Sequence, residues 1–405
     1  MQKLIPFRGL LIGGGSLILL ILLSLCGSVP VFSGTAGSNP GVSLLYASAG
    51  TMPQLLNTHQ IDAFLIWEPV VSNAELSGIG KRIAVPADLP PPGKWDNAAI
   101  NVLVLRRNII RDEPEIASLL SALTTAAIER TEEEPALAEN ITAAWVFGNK
   151  PILTPVGSLN PLEVERHSFA NMVFTADATL PESGIVQSAV EAQKRTYDPT
   201  AMVDTSVAEQ GRLILNGSRP PRPGGSMPTI GIGYIPSTDN YAPLYVMVKD
   251  APYFCNRYGF CLVPDNPAES RPVACTLMVN GTPAAHIRLV PGQSGGGIMT
   301  TIGQNALDGA FVGSVPAELQ IGLGNPSSVI QSINTGGSGL VVGPDAPCTD
   351  WHGFVRWAEV RSAAGRPLVI ATVQSSIQED MVREAFAYEN ITVTFYGTDI
   401  TAGAA

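Results

Sequence analysis

Between residues 229 and 396 short apolar runs alternate with segments of helical periodicity, and this alternation restricts the fold more than any other feature. Segment 229–235 reads as a strand and 242–251 as a helix that stops at Pro252. Residues 276–279 and 284–290 flank Asn280-Gly281, which predicts a hairpin with a two-residue turn. Helices are expected over 297–306, 316–322 and 376–388, and strands over 309–312, 329–333, 340–342, 368–372 and 391–396. Such alternation predicts α/β layers with largely parallel sheets, and the glycine-rich run 335–339 reads as a loop between two strands.

An earlier block, 41–215, starts in the same way. Strands are expected over 42–46, 63–66 and 99–105, with a helix over 52–58. From Glu113 onward the pattern is helical over 113–130, 134–146, 161–173, 184–195 and 203–213, with no strand between. Residues 216–226, rich in Pro, Gly and Arg, carry no apolar period and read as a linker to the block 227–405.

At the amino end Lys3 and Arg8 lead into an apolar run over 9–26, followed by small residues. This is the pattern of an export signal or membrane anchor occupying 1–34. Leu23-Ser24-Leu25-Cys26-Gly27 is similar to the box before a lipidated cysteine, although Leu25 stands where a small residue is usual. The body is therefore expected outside the cytoplasm, at the cell surface or in a periplasm. There Cys255, Cys261, Cys275 and Cys348 are expected in disulfides, with three pairings open. Cys255 and Cys261 are close enough in sequence to bridge, which would leave Cys275 for Cys348. Their spacing fits no zinc pattern, and no metal or cofactor is expected.

The chain has 24 Lys and Arg against 35 Asp and Glu, a net charge of −11, and its basic residues are not clustered. That argues against nucleic acid as a partner. No His-Glu-x-x-His or phosphate loop ending in Lys is present, and His167 and His286 have no evident partners, so no enzyme is expected.

Two segments are alike. Residues 297–316 pass through a helix, the turn and strand Leu307-Asp308-Gly309-Ala310-Phe311, and a loop to Pro316. Residues 50–69 pass through a helix, Ile61-Asp62-Ala63-Phe64-Leu65, and a loop to Pro69. Two such units suggest two lobes with a cleft at the carboxyl ends of their strands.

Five stretches carry a resemblance. They are Gly233-Tyr234-Ile235-Pro236-Ser237-Thr238-Asp239-Asn240-Tyr241, the run 306–316, Asn334-Thr335-Gly336-Gly337-Ser338-Gly339, Gln374-Ser375-Ser376-Ile377-Gln378, and the run 61–69 ending in Trp67-Glu68-Pro69. Together they resemble the solute-binding proteins of ABC importers for nitrate, sulfonates, taurine and bicarbonate. The resemblance implies a two-lobe periplasmic-binding-protein fold of type II, a small polar and usually anionic solute, and a membrane permease as partner. The order departs from that family: the segment that should come second, 41–215, precedes the one that should come first, 227–405. The chain reads as a circular permutant joined by residues 216–226. A pair of fragments that complement another chain is the alternative. A sensor, a surface protein or a biosynthetic enzyme could use the same fold.

Candidate ligand contacts follow. Ser237, Thr238 and Asp239 precede a helix and serve either as caps or as contacts. Gly313 and Ser314 open another helix, and Ser375, Ser376 and Gln378 a third. Gly337 and Ser338 either admit a ligand to the backbone or form a turn with positive φ. Trp67 offers a flat wall, and Glu68 an acceptor for an amine or an Arg bridge; the alternative is a core Trp and a solvated Glu. If the permutation holds, Trp67–Glu68 and Ser375–Ser376 share one lobe, and Thr238 and Ser314 face them from the other. Residues near 42 and 396 should then lie side by side in one sheet.

Overall fold

The computed structural model describes residues 40–218 and 227–396. The leader 1–34, with Cys26, and most of the linker lie outside the described residues. Among those described, no helix is long and apolar enough to cross a membrane.

From the amino end come β1 (Gly41–Tyr46), α1 (Met52–Asn57), β2 (Ala63–Trp67), α2 (Val70–Leu76), β3 (Lys81–Ala84) and β4 (Asn101–Arg106). Then follow α3 (Arg107–Asp112), α4 (Pro114–Glu133), α5 (Pro135–Phe147), β5 (Ile152–Thr154), β6 (Gly157–Leu159), α6 (Pro161–Phe169), β7 (Met172–Phe174), α7 (Gly184–Ala192) and α8 (Thr205–Leu215). The second part opens with β8 (Thr229–Tyr234), α9 (Ala242–Lys249), α10 (Ala251–Tyr258), β9 (Phe260–Pro264), β10 (Ala274–Val279) and β11 (Thr282–Pro291). It ends with α11 (Gly295–Gly303), β12 (Gly309–Gly313), α12 (Ser314–Gly322), β13 (Ser327–Gly336), β14 (Ser338–Val342), α13 (Trp351–Ala363), β15 (Val369–Thr372), α14 (Ile377–Tyr388) and β16 (Thr392–Phe395).

Two large sheets organise these elements. One has the order β16-β1-β15-β2-β14-β3, the other β7-β13-β4-β12-β8-β11-β10-β9. Each sequence block supplies strands to both sheets, so 41–215 and 227–405 do not each coincide with one lobe. The first sheet is parallel from β16 to β2, and β14 runs antiparallel to β2 and β3. The second is mostly antiparallel, which corrects the expectation of largely parallel sheets. The reason is topological: β4 arrives from the other half of the chain and runs antiparallel between β12 and β13.

Local chemistry sets most element ends. Proline opens α4, α5 and α6, where its missing N–H costs nothing. Asn160 caps α6 by accepting from Leu162 N at 2.9 Å. Asn280 and Gly281 both have positive φ in the β10–β11 turn, as an Asn-Gly hairpin requires. Pro252 does not end the helix before it but opens α10, because α9 has already stopped at Lys249.

Three expectations fail, two of them for tertiary reasons. The helix expected over 161–173 stops at Phe169, and Met172–Phe174 becomes a strand by pairing with Asn334–Gly336 of β13. The hairpin β5–β6 also interrupts the helical stretch. The run 335–339 is no loop. It carries the chain, with only Gly337 between the two strands, from β13 in one sheet to β14 in the other. Gly336 and Gly337 take φ of 71° and 66° at this crossing. A Cβ on Gly337 would sit 2.6 Å from Asn240 Oδ1, so only glycine fits there.

The larger core lies behind the eight-stranded sheet, under α4, α5 and α9. Trp145 and Tyr245 stack there at 4.6 Å, both fully buried. Such a pair adds roughly 0.5–1.5 kcal/mol beyond its buried area. Cys255 and Cys261 form a disulfide that ties α10 to β9. Cys275 and Cys348 are free and buried. They belong to the cores of different sheets, so the pairing of Cys275 with Cys348 does not occur.

Candidate functional site

Loops at the carboxyl ends of strands from both sheets converge on a cavity of about 710 Å³. The six-stranded sheet contributes Tyr46–Gly50 after β1, Trp67 at the end of β2, and 373–378 after β15. The eight-stranded sheet contributes Ser237 and Thr238 after β8, 293–296 after β11, and Gly313 and Pro316 after β12. Asn101 joins them because β4 runs backwards: its first residue pairs with Gly313, the last of β12.

Several helices begin at this cavity. Ser294 caps α11, accepting from Gly297 N at 3.2 Å, and Gly295 and Gly296 line the wall beside it. Ser376 caps α14, accepting from Glu379 N at 3.2 Å. Gly313 stands at the start of α12 with no capping side chain. Each start carries N–H groups without helical partners and the positive end of a helix dipole. None of the described residues lining the cavity is Lys, Arg, Asp or Glu. Positive potential therefore comes from backbone alone, and hydroxyl and amide side chains supply the directional bonds.

Of the residues singled out in the sequence, Trp67, Ser237, Thr238, Gly313, Ser375, Ser376 and Gln378 line the cavity. Trp67 and 375–376 approach from one sheet, Thr238 from the other. Ser314 is fully buried just beyond Gly313 and is not on the wall. Gly337 and Ser338 lie behind it; Ser338 Oγ accepts from Gln378 Nε2 at 2.9 Å, holding α14 to β14. Glu68 is neither a ligand acceptor nor solvated. It is fully buried and bonds Arg82 Nη2 at 2.8 Å, so the Arg bridge exists within the protein. Asp239 also turns inward and is fully buried.

Tyr46–Gly50, Asn101, Asn240, 293–296 and Gln374 also line the cavity, although the sequence reading had not singled them out. A serine followed by three glycines at a helix start, 294–297, is a readable signal for an open helix N-terminus. Asn101 has no such signal, since it sits inside an otherwise apolar strand.

A chain of hydrogen bonds under the cavity joins the two sheets. Asn101 Nδ2 donates to Asn334 Oδ1 at 3.0 Å, and Asn334 Nδ2 to Asn240 Oδ1 at 2.9 Å. Asn240 Nδ2 donates to Thr238 Oγ1 at 2.9 Å, and that hydroxyl donates to the Glu68 carbonyl at 3.1 Å. Beside it Glu68, Asp239 and Glu165 form a buried acidic group. Burial, with Asp239 and Glu68 as charged neighbours, pushes Glu165 far above the carboxylate range. Neither of its oxygens has a hydrogen-bond partner among the described residues. Burial raises Glu68 too, opposed by the Arg82 charge.

A second buried acidic contact lies between α12 and α14. Burial pushes Glu318 up to about 8, with Asp380 adding to the rise. Burial and then Glu384 push Asp380 up to about 6.

His167 does have partners: its Nδ1 lies 3.0 Å from Ser72 Oγ and 3.7 Å from Glu75 Oε2. Both contacts use one ring nitrogen, whereas a nucleophile relay needs both. Ser72 is also fully buried and away from the cavity.

Residues 35–146 match the sequence model of the NMT1-like family. An uncharacterized protein of Methanocaldococcus jannaschii is 29% identical over 143 residues, which make up 35% of this chain and 91% of that protein. No solved structure matches the chain. The family match takes in β1 to β4, and with them Tyr46–Gly50, Trp67 and Asn101 of the cavity wall.

Proposed function

With the NMT1-like match of residues 35–146 as premise, we propose that this protein is an extracytoplasmic solute-binding protein that delivers a small anionic solute to an ABC permease. Members of that family are typically binding proteins rather than enzymes, and they work outside the cytoplasm. The observation that carries the reading is the cavity between the sheets, which has helix starts on its wall and no charged side chain among its described lining residues. A carboxylate there would repel an anion, and none is among the described lining residues. Aligned N–H groups favour an anion by roughly 0.3–1 kcal/mol per helix, and by about 2 kcal/mol where partly buried.

The same reading takes residues 1–34 as the export signal or tether. The Cys255–Cys261 bridge supports an oxidising compartment. It also takes the chain as a circular permutant. Support comes from β1 and β16, which pair in parallel with Gly41 opposite Thr392, β16 forming the sheet edge.

The test is thermal unfolding of the purified protein with nitrate, bicarbonate, taurine, alkanesulfonates or pyrimidines. A solute bound only by the folded state, at a hundred times its Kd, stabilises by about 2.7 kcal/mol. One member of the set should raise Tm by several degrees. No rise with any of them overturns the reading.

A further inference from the structure

The amide ladder beneath the cavity has a direction, and that direction can be worked out from one end. The Glu68 carbonyl can only accept, and Thr238 Oγ1 is its sole donor among the described residues. The single hydroxyl proton of Thr238 is therefore committed to Glu68. Its oxygen must then accept, and it does so from both the backbone N and Nδ2 of Asn240. This places Oδ1 of Asn240 toward Asn334, which must answer with Nδ2. Asn334 then has Oδ1 left for Asn101, which must answer with Nδ2. Reversing any amide would set oxygen against oxygen at its neighbour and strip a buried group of its partner. Asn334 is fully buried, Asn240 is 2% exposed and Thr238 3% exposed, so water cannot repair such a break.

The ladder ends at Asn101, which lines the cavity. One N–H of its Nδ2 is engaged inward, and its Oδ1 accepts from none of the described residues. We infer that Asn101 presents a fixed hydrogen-bond acceptor to the ligand, so that the site selects anions that themselves carry an N–H or O–H donor over anions that only accept. This rests on the solute-binding reading above and narrows it. Helix N–H groups attract any anion. The Asn101 oxygen meets a donor-bearing anion with a bond and opposes a bare oxyanion with like partial charge. Asn101 cannot turn its amide to suit the bare anion, because the turn would reverse every bond back to Glu68.

The experiment uses the whole protein and pairs of anions matched in size and charge: sulfamate against methanesulfonate, and bicarbonate against nitrate. Titration calorimetry should show the donor-bearing member binding about tenfold more tightly, the usual scale for one well-placed hydrogen bond against an unpaired acceptor. In Asn334→Leu the ladder is cut, Asn101 is free to turn, and the preference should fall toward one while binding of the pair persists. Asn101→Leu should abolish the preference as well, and serves if the first variant does not fold. Equal affinities within each pair, or tighter binding of nitrate and methanesulfonate, in the unaltered protein overturn the inference and leave the solute-binding reading standing. Binding of no member of either pair, together with no stabilisation by the wider set above, overturns both.

Discussion

Glu318 offers a quantitative test of how the two halves of the cleft meet. It lies on α12, fully buried, with Tyr197 donating to its Oε2 at 2.8 Å and no partner on Oε1 among the described residues. Burial first, and then Asp380 on α14, push its pKa from 4.5 up to about 8. The folded protein thus keeps a proton that the unfolded chain releases. Its contribution to stability is complete below about pH 4.5 and is lost as pH rises through about 8. At 1.36 kcal/mol per unit, the window amounts to about 5 kcal/mol. That is a large share of the roughly 5–15 kcal/mol that holds a domain folded. Glu318→Gln keeps the shape and stays neutral throughout. Between pH 5 and pH 8 the unaltered protein should lose about 4 kcal/mol that the variant retains. Asp380 titrates lower, near 6, and is present in both proteins, so most of its effect cancels in the comparison. Urea unfolding of both at pH 5, 6, 7 and 8 measures this. A difference in unfolding free energy that stays flat across the series would refute the assignment of a buried, protonated Glu318.

Gly337→Ala should cost roughly 1–3 kcal/mol, because φ is +66° and the new methyl meets Asn240 Oδ1 at 2.6 Å. It should weaken solute binding too, while Gly343→Ala, with nothing within 4 Å, should change neither; denaturant midpoints and calorimetry read the two effects. Non-reducing alkylation of the unfolded protein should leave Cys255 and Cys261 unmodified and label Cys275 and Cys348. Replacing Cys255 and Cys261 together by Ala should lower stability by about 2 kcal/mol, the entropy of closing so short a loop, and an unchanged denaturant midpoint would count against the bridge.

The features legible in the sequence are those with local causes. Asn280-Gly281 announced its hairpin because few residues accept positive φ twice in succession. Ser376 announced a helix start, and Ser375–Gln378 do reach the cavity wall. What escaped was set by partners distant in sequence. Nothing near Asn101 shows that β4 will lie between β12 and β13, about 200 residues away, with its first residue at the cavity. Met172–Phe174 looks helical until Asn334–Gly336 pairs with it. Glu68 looked like a ligand group because it follows an apolar strand, yet Arg82, on a strand two places away in the sheet, takes its charge. The glycines at 336 and 337 read as a turn when they are a crossing, since positive φ is needed in both and only the sheet assignment tells them apart.

The position of β1 has a mechanical consequence. It enters the fold directly after Pro40 and is clamped along its length, with β15 parallel on one side and β16 parallel on the other. Gly41 N is pinned as well, by Ser362 Oγ at 2.8 Å. A chain held at its amino end, as the proposed tether would hold it, loads this strand along its own axis. Both ladders then carry the tension at once in shear, and their bonds cannot open one after another as in a peeled hairpin. The amino-terminal attachment thus becomes a grip loaded in shear, in which β1 slides only if both ladders break together.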